Sequence, residues 1–388
     1  MKYAHSHLQS ALCLVDEYKA GEPFSSFAKK YFSRHKKYGS RDRKEIRHLC
    51  YCFFRMGKAL TNLPVEERML MGLFLCSTKA NGVLEQLKPH WNAEVRASFK
   101  EKLTILNIQP QVFDVFPWRE KESPGIDHDH FSHSFFIQPD LFLRLRPGHE
   151  GDVKEKLKLS GIDFSERTPA CLALPNNSGI ESIIDLDREA VVQDYNSQKT
   201  AGILQRSMTE LPGGVSAWDC CAGSGGKSLL LYDIDPTINL TVSDVRKAIL
   251  VNLEKRFSRA GIKKFRKFLV DLTRPHLLLP GADFNLIICD APCTGSGTWS
   301  RTPEQLCFFD EKKIDDYSSL QKKIVSNVIA YLRKDGFFLY ITCSVFKNEN
   351  EEVVSFIRNE LRLELIQMKV LTGYDEKADT LFTSLFRK

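Results

Sequence analysis

The sequence predicts an α/β protein: a mostly parallel sheet flanked by helices over residues 191–388, a small α/β segment over 135–190, and an all-helical region over 1–115. Three observations carry this. The last half alternates apolar strand patterns with helical ones, from "VSAWDCCA" and "KSLLLYDI" through to "GFFLYITCS". Such alternation specifies parallel strands with helices on both faces. Residues 1–115 carry apolar stripes at helical spacing almost throughout. Hydrophobic content of 43% with 27% charged residues is ordinary for a globular chain, and 388 residues leave room for two or three domains.

The opening stretch, "MKYAHSHLQSALCLVDEYKAGEP", is an amphipathic helix pattern carrying charges and no small-residue cleavage site, so it does not read as a signal peptide. "RDRKEIRHLCYCFFRMGKAL" and "PVEERMLMGLFLCSTKANG" continue the helical region, each stopping near a glycine or polar break. No run approaches eighteen uninterrupted apolar residues, so no membrane span is expected. Eleven cysteines, an odd number, sit largely inside apolar runs such as Cys50, Cys52, Cys76, Cys220, Cys221 and Cys289. They read as free thiols in a reducing cytoplasm. His48, Cys50 and Cys52 lack a second ligand pair at zinc-finger spacing and read as a helix face, so no metal is expected. Residues 116–134, rich in Pro, His and charge, read as a linker. In the small segment, "LFLRLRP" alternates as a strand, "GHEGDVKEKLKLSG" as a helix and "ACLALP" as a second strand.

The last segment then runs strand, glycine-rich turn and helix, followed by "INLTVSDV" (strand), "RKAILVNLEKRFSRAG" (helix), "KFLVDLT" and "FNLIICDAP" (strands). The long helix "EKKIDDYSSLQKKIVSNVIAYLRKDG" precedes the strand ending at Cys343, and a helix and two strands close the chain. The net charge of +6 is unevenly placed: Lys29 to Arg47 hold nine Lys or Arg against Asp42 and Glu45, and a second basic run spans Glu254 to Phe268. Clusters of this kind suit phosphate backbones, because each neutralised phosphate releases a counterion.

Ligands of parallel sheets bind at the carboxyl ends of the strands, and that is where the unusual residues fall. "DCCAGSGGK", Asp219 to Lys227, is a glycine-rich strand–turn–helix whose backbone can approach a ligand closely. It is not a P-loop, since its first glycine stands too close to "GGKS". Asp244, twenty-five residues after Asp219, ends the second strand and can accept both hydroxyls of a ribose. Asp271 ends the third and can hydrogen-bond an adenine amino group; Asp290 ends the fourth. Glycines with these two acids describe a nucleoside site, and the lack of an extended phosphate cradle favours S-adenosylmethionine over a dinucleotide.

Two thiols, Cys293 in "DAPC" and Cys343 in "TCS", stand at the ends of two apolar strands. Carbon 5 of cytosine is a poor nucleophile until a thiolate adds at carbon 6 and turns the ring into an enamine. Release then needs a base for the carbon 5 proton, a role open to a second thiol. Asp290 can grip the base, and the thiol beside it can serve release.

"DAPCTGSGT" with "TCS", and "DCCAGSGGK" ahead of them, resemble the Sun/Fmu/NSUN family of RNA cytosine-5 methyltransferases, over roughly residues 135–388. "VVQDYNSQKTAGIL" matches the family's lead-in segment and "TLFTSLFRK" its closing strand. The resemblance implies a Rossmann-like class I methyltransferase domain with a mostly parallel seven-stranded sheet and S-adenosylmethionine as cofactor. It also implies Cys343 as nucleophile and Cys293 in product release, with Asp290 beside them. Cofactor binding carries over to Cys221, Ala222, Gly223, Ser224, Gly225, Gly226 and Lys227, with Asp244, Asp271 and Asp290. The chain departs at Ser224, where the family usually has proline. "HLCYCFFRMG" resembles the Tyr-Gly-x-x-Arg helix of a NusB-like RNA-binding domain, which points to the bacterial ribosomal RNA branch. The expectation is thus a monomeric cytoplasmic enzyme acting on RNA, ribosomal RNA first, with transfer RNA or a non-catalytic RNA-binding assembly factor as alternatives.

Overall fold

The computed structural model describes residues 3–211, 213–275 and 283–388; Met1 and Lys2 of the opening helix pattern lie outside it. The chain forms two compact units, one of Met1–Glu120, Asp127–Gln138 and Thr298–Glu311, the other of Lys121–Ile126, Pro139–Gly297 and Lys312–Lys388.

The first unit is helical. Its principal helices are Ala4–Glu17, Phe24–Arg34, Ser40–Arg55 and Val65–Cys76. Ser40–Arg55 shows why: Ile46, Leu49, Cys50, Phe53 and Phe54 are buried at the spacing of one helical face. Val65–Cys76 approaches it so closely that a Cβ on Gly72 would collide with the Cys52 carbonyl. Arg55, nearly buried, ties distant segments together: it donates to the carbonyl of Phe135, to Gln138 Oε1 at 2.9 Å and to the Ser300 carbonyl at 3.0 Å. Glu304 accepts from the Phe24 amide at 3.1 Å, and Lys58 donates to the carbonyls of Cys307 and Phe309 at 3.0 Å. Two sequence expectations change here. Residues 298–311, assigned by sequence to the last segment, fold into the helical unit because their partners are Phe24, Arg55 and Lys58. Within the expected linker lies a helix, His128–Ser134, capped by the Asp127 side chain and burying Phe131.

In the second unit, β1 (Leu141–Leu145), β2 (Ser165–Thr168), β3 (Cys171–Leu174) and β4 (Ala190–Val192) form an antiparallel sheet in the order β2-β3-β1-β4. Two of these strands go beyond the expected strand–helix–strand. Strand β2, "SERT", is exposed and polar throughout, and β4 is three residues long, so neither carries an apolar alternation. Leu143, Leu145, Val153, Leu157, Leu172 and Leu174 form its core.

The larger sheet comprises β5 (Ser216–Asp219), β6 (Asn239–Asp244), β7 (Arg266–Leu269), β8 (Phe284–Asp290), β9 (Leu332–Thr342), β10 (Glu364–Leu371) and β11 (Leu381–Arg387). Its order is β10-β11-β9-β8-β5-β6-β7, and β11 alone runs against its neighbours. This is the mostly parallel seven-stranded sheet the sequence predicts. Apolar clusters cover both faces, one with Leu229, Leu253 and Phe257, the other with Ile324, Val325 and Val354. Strand β8 is buried almost end to end, as a two-sided strand must be. Strand β5 pairs with β6 on one side and β8 on the other, so the strand order switches direction beside it; in parallel sheets the crevice outside the carboxyl ends at such a switch point is where ligands bind.

Candidate active site

The crevice has two halves. In one, β5 ends at Asp219 and the chain turns through Cys221–Lys227 into the helix Gly226–Ile234. Gly223 has φ +53° and open space where a Cβ would stand, so the backbone presents a bare face to the crevice. Gly225 has φ +85°, and a Cβ there would meet Phe257 at 2.8 Å. The Ala222 amide donates to the Ser243 carbonyl at 2.9 Å, and the Gly223 amide to Asp244 Oδ2 at 3.0 Å, which sets the loop against the end of β6. Asp244 also accepts from Arg246, whose Nε and Nη2 reach its two oxygens at 2.9 and 3.0 Å. Burial pushes the Asp244 carboxyl up, and the Arg246 hydrogen bonds outweigh it, leaving the group below its ordinary value. Arg246 itself is largely exposed. Ser224 accepts from Arg256 Nη1 at 3.0 Å.

Lys227 is buried. Its ammonium donates to Asp290 Oδ2 at 2.9 Å and to Ser197 Oγ at 2.8 Å, joining the helix after β5 to the end of β8. Ser197 belongs to the helix Tyr195–Thr209, inside the segment the sequence reads as a lead-in. Asp219 is fully buried; burial lifts its carboxyl to about 7 against the pull of the Ser228 hydroxyl, which donates to Oδ2 at 2.6 Å. Its Oδ1 has no partner among the described residues. Asp271 stands two residues beyond β7 and closes its own turn, accepting from the Thr273 amide at 3.0 Å and hydroxyl at 2.6 Å.

In the other half, the loop after β8 and the loop after β9 bring the two thiols together. The Cys343 amide donates to Cys293 Sγ at 3.3 Å. Hydrogen bonding with the Cys293 thiol, burial and the Asp290 charge push the Cys343 thiol well above its ordinary value, and the Lys227 ammonium pulls it back. Gly297 permits this approach: a Cβ there would collide with the Thr380 carbonyl and stand 3.0 Å from that of Cys343.

A buried polar network locks the two loops. Glu349 accepts from the Thr294 amide at 2.8 Å, the Thr294 hydroxyl at 2.6 Å, the Ser344 hydroxyl at 2.5 Å and Gln321 Nε2 at 3.0 Å. Gln321 also donates to the Pro292 carbonyl at 3.0 Å. Asn350 donates to the Ser344 carbonyl at 2.8 Å and accepts from the Thr342 hydroxyl. Sequence reasoning placed none of Glu349, Asn350, Gln321 or Ser197 here. The available signal was "NENEE", a run of acids and amides directly after the second thiol.

The arrangement offers acceptors for a nucleoside, a bare glycine loop, and two adjacent thiols beside a carboxylate–ammonium pair. Comparison with known proteins follows the same line. Residues 211–383 match the family described as 16S rRNA methyltransferase RsmB/F. The ribosomal RNA small subunit methyltransferase B of Shewanella oneidensis is 29% identical over 170 residues, covering 44% of this chain and 38% of that protein. The chain thus matches well under two thirds of that relative's length. Among solved structures, PH0851 aligns with a TM-score of 0.70 at 18% identity over 98% of both chains. A methyltransferase homologue from Pyrococcus horikoshii aligns with a TM-score of 0.58 at 20% identity, covering 74% of this chain and 98% of that one. The two solved structures show that the chain shares their fold.

Proposed function

Taking residues 211–383 as a methyltransferase domain of the RsmB/F family, we propose that the protein methylates carbon 5 of a cytosine in RNA, ribosomal RNA being the substrate class, with S-adenosylmethionine as donor. The observation that carries this reading is the juxtaposition of Cys293 and Cys343 beside Asp290. A methyl transfer to oxygen or nitrogen needs no thiol, whereas carbon 5 of cytosine needs one to add and a base to finish.

The residues fit the donor. Asp244 can take the ribose hydroxyls once the exposed Arg246 yields, the bare face at Gly223 admits a close ligand, and Asp271 is assigned the adenine amino group. When bound, S-adenosylmethionine supplies an electrophilic methyl group on a sulfonium. In this reading the Cys343 thiol gives up its proton to solvent, the Lys227 charge favouring the thiolate; the thiolate adds to carbon 6, and the electron pair of the 5,6 double bond moves to make carbon 5 nucleophilic. Asp290 accepts from the ring's exocyclic amino group, held in place by Lys227. After methylation Cys293 takes the proton from carbon 5, the 5,6 double bond reforms, and Cys343 leaves as thiolate. Glu349 is a positioning residue that holds the two loops in register. The eleven free cysteines suit the cytoplasm.

The test incubates the protein with methyl-labelled S-adenosylmethionine and ribosomal or transfer RNA, then digests the RNA to nucleosides. The reading expects label in 5-methylcytidine, with ribosomal RNA the better acceptor. Label in any other nucleoside, or none in RNA, would sink it.

A further inference from the structure

Apart from the pair Cys293 and Cys343, a second group of thiols lies at the base of the glycine loop. Cys220 follows β5, Cys289 is the penultimate residue of β8, and Cys221 opens the loop. Their sulfur atoms all lie within 4.8 Å of one another. The topology explains the meeting. Asp219 pairs with Ile288 in the parallel register, so the next residues, Cys220 and Cys289, stand side by side on neighbouring strands. Cys220 and Cys289 are fully buried, whereas Cys221 is half-buried. None of the three takes part in a proposed bond-making step, although Cys221 opens the stretch assigned to the cofactor.

We propose that Cys220, Cys221 and Cys289 form a binding site for a thiophilic divalent cation of the zinc class, joining the ends of β5 and β8. Zinc–thiolate bonds of about 2.3 Å place bound sulfurs roughly 3.8 Å apart, so these three need only small movements to close on one ion. Thiolates are soft ligands and select zinc-like ions over magnesium or calcium. Binding releases the thiol protons to solvent as the three sulfurs close on the ion. A divalent ion on three thiolates leaves one negative charge, and the Arg246 guanidinium lies within electrostatic reach of Cys221 to offset it. The half-buried position of Cys221 supplies the route of entry.

Cadmium(II) is the probe, because its thiolate charge-transfer absorption reports the number of sulfurs bound. A full-length protein carrying Cys293→Ser and Cys343→Ser, reduced and anaerobic, serves as the baseline, so that the reaction's thiols cannot contribute. It should bind one cadmium ion with a three-thiolate band, lose the band on titration with zinc, and show a higher thermal midpoint with zinc present. Adding Cys289→Ser should weaken binding at least 100-fold and abolish the thermal shift. Should that variant misfold by circular dichroism, Cys220→Ser and Cys221→Ser must each show the same loss. Absence of the band at excess cadmium would overturn the proposal, and so would full binding in all three serine variants. Either result would leave the thiols as packing groups and would not touch the methyltransferase reading.

Discussion

The two halves of the crevice are held by different kinds of contact. On the glycine-loop side the central carboxylate, Asp244, is gripped by a largely exposed arginine that a ligand can displace. On the thiol side the central carboxylate, Glu349, is fully buried and receives four hydrogen bonds from Thr294, Ser344 and Gln321. The difference teaches how one crevice can serve two tasks. A site that must take up and release a small molecule keeps partners near solvent that can be exchanged. A site that must hold two thiols in register is fixed by groups that cannot leave without stranding their partners.

Breaking the buried half should have the largest effect. Glu349→Ala leaves the donors of Thr294, Ser344 and Gln321 unsatisfied, each costing about 1–3 kcal/mol, on the order of 5 kcal/mol in sum. Urea unfolding of the variant should show that loss, and unchanged stability would contradict the network. Next comes the base of the glycine loop. Between roughly pH 4 and pH 7 the Asp219 carboxyl keeps its proton in the folded chain and loses it in the unfolded one. Its contribution therefore favours folding most at the acid end and declines as pH rises through that window. The full swing is on the order of 4 kcal/mol. Comparing unfolding midpoints at several pH values in this range, Asp219→Asn should flatten the pH dependence, and an identical slope in both proteins would refute the burial argument.

The exchangeable half should respond more gently, and in both directions. Asp244→Ala should weaken S-adenosylmethionine binding by about 1.5–3 kcal/mol. Arg246→Ala should tighten it by a few-fold, since an exposed ion pair is worth about 0–1 kcal/mol. Calorimetry in which both variants bind like the wild type would remove Asp244 from the cofactor site.

The two basic runs repeat the contrast at the smallest scale. In the second run, Arg256 and Arg259 both reach Asp187, at 2.8 and 2.6 Å, so much of its charge is spent inside the fold. In the first, the Lys and Arg of 29–47 are exposed apart from half-buried Arg43. Reversing Lys36, Lys37 and Arg41 should lower the slope of log RNA affinity against log salt by roughly 0.7–0.9 for each phosphate that is no longer neutralised. An unchanged slope would make this run a solvated helix face.

The placement of the strand-end residues was legible because a parallel sheet gathers the carboxyl ends of its strands whatever the sequence distance between them. Asp219, Asp244, Asp290, the glycines and both thiols meet for that reason. The network around Glu349 was not legible. "NENEEVV" offers Glu349, Glu351 and Glu352 alike as the acidic start of a helix, and only the turn of the chain after Cys343 decides which faces inward. Residues 298–311 were misplaced because their partners, Phe24, Arg55 and Lys58, lie more than two hundred residues upstream, beyond any local pattern. Arg246 was overlooked because a sequence marks an acid for a ribose without showing what holds it meanwhile.

The division of labour between the two thiols is the central claim, and one gel tests it. Protein, S-adenosylmethionine and acceptor RNA are combined, then separated under denaturing conditions. If Cys343 adds to the ring and Cys293 serves release, Cys293→Ala should accumulate a protein–RNA complex that survives denaturation, while Cys343→Ala forms none and transfers no methyl group. A stable complex with Cys343→Ala and none with Cys293→Ala would reverse the roles and contradict the account.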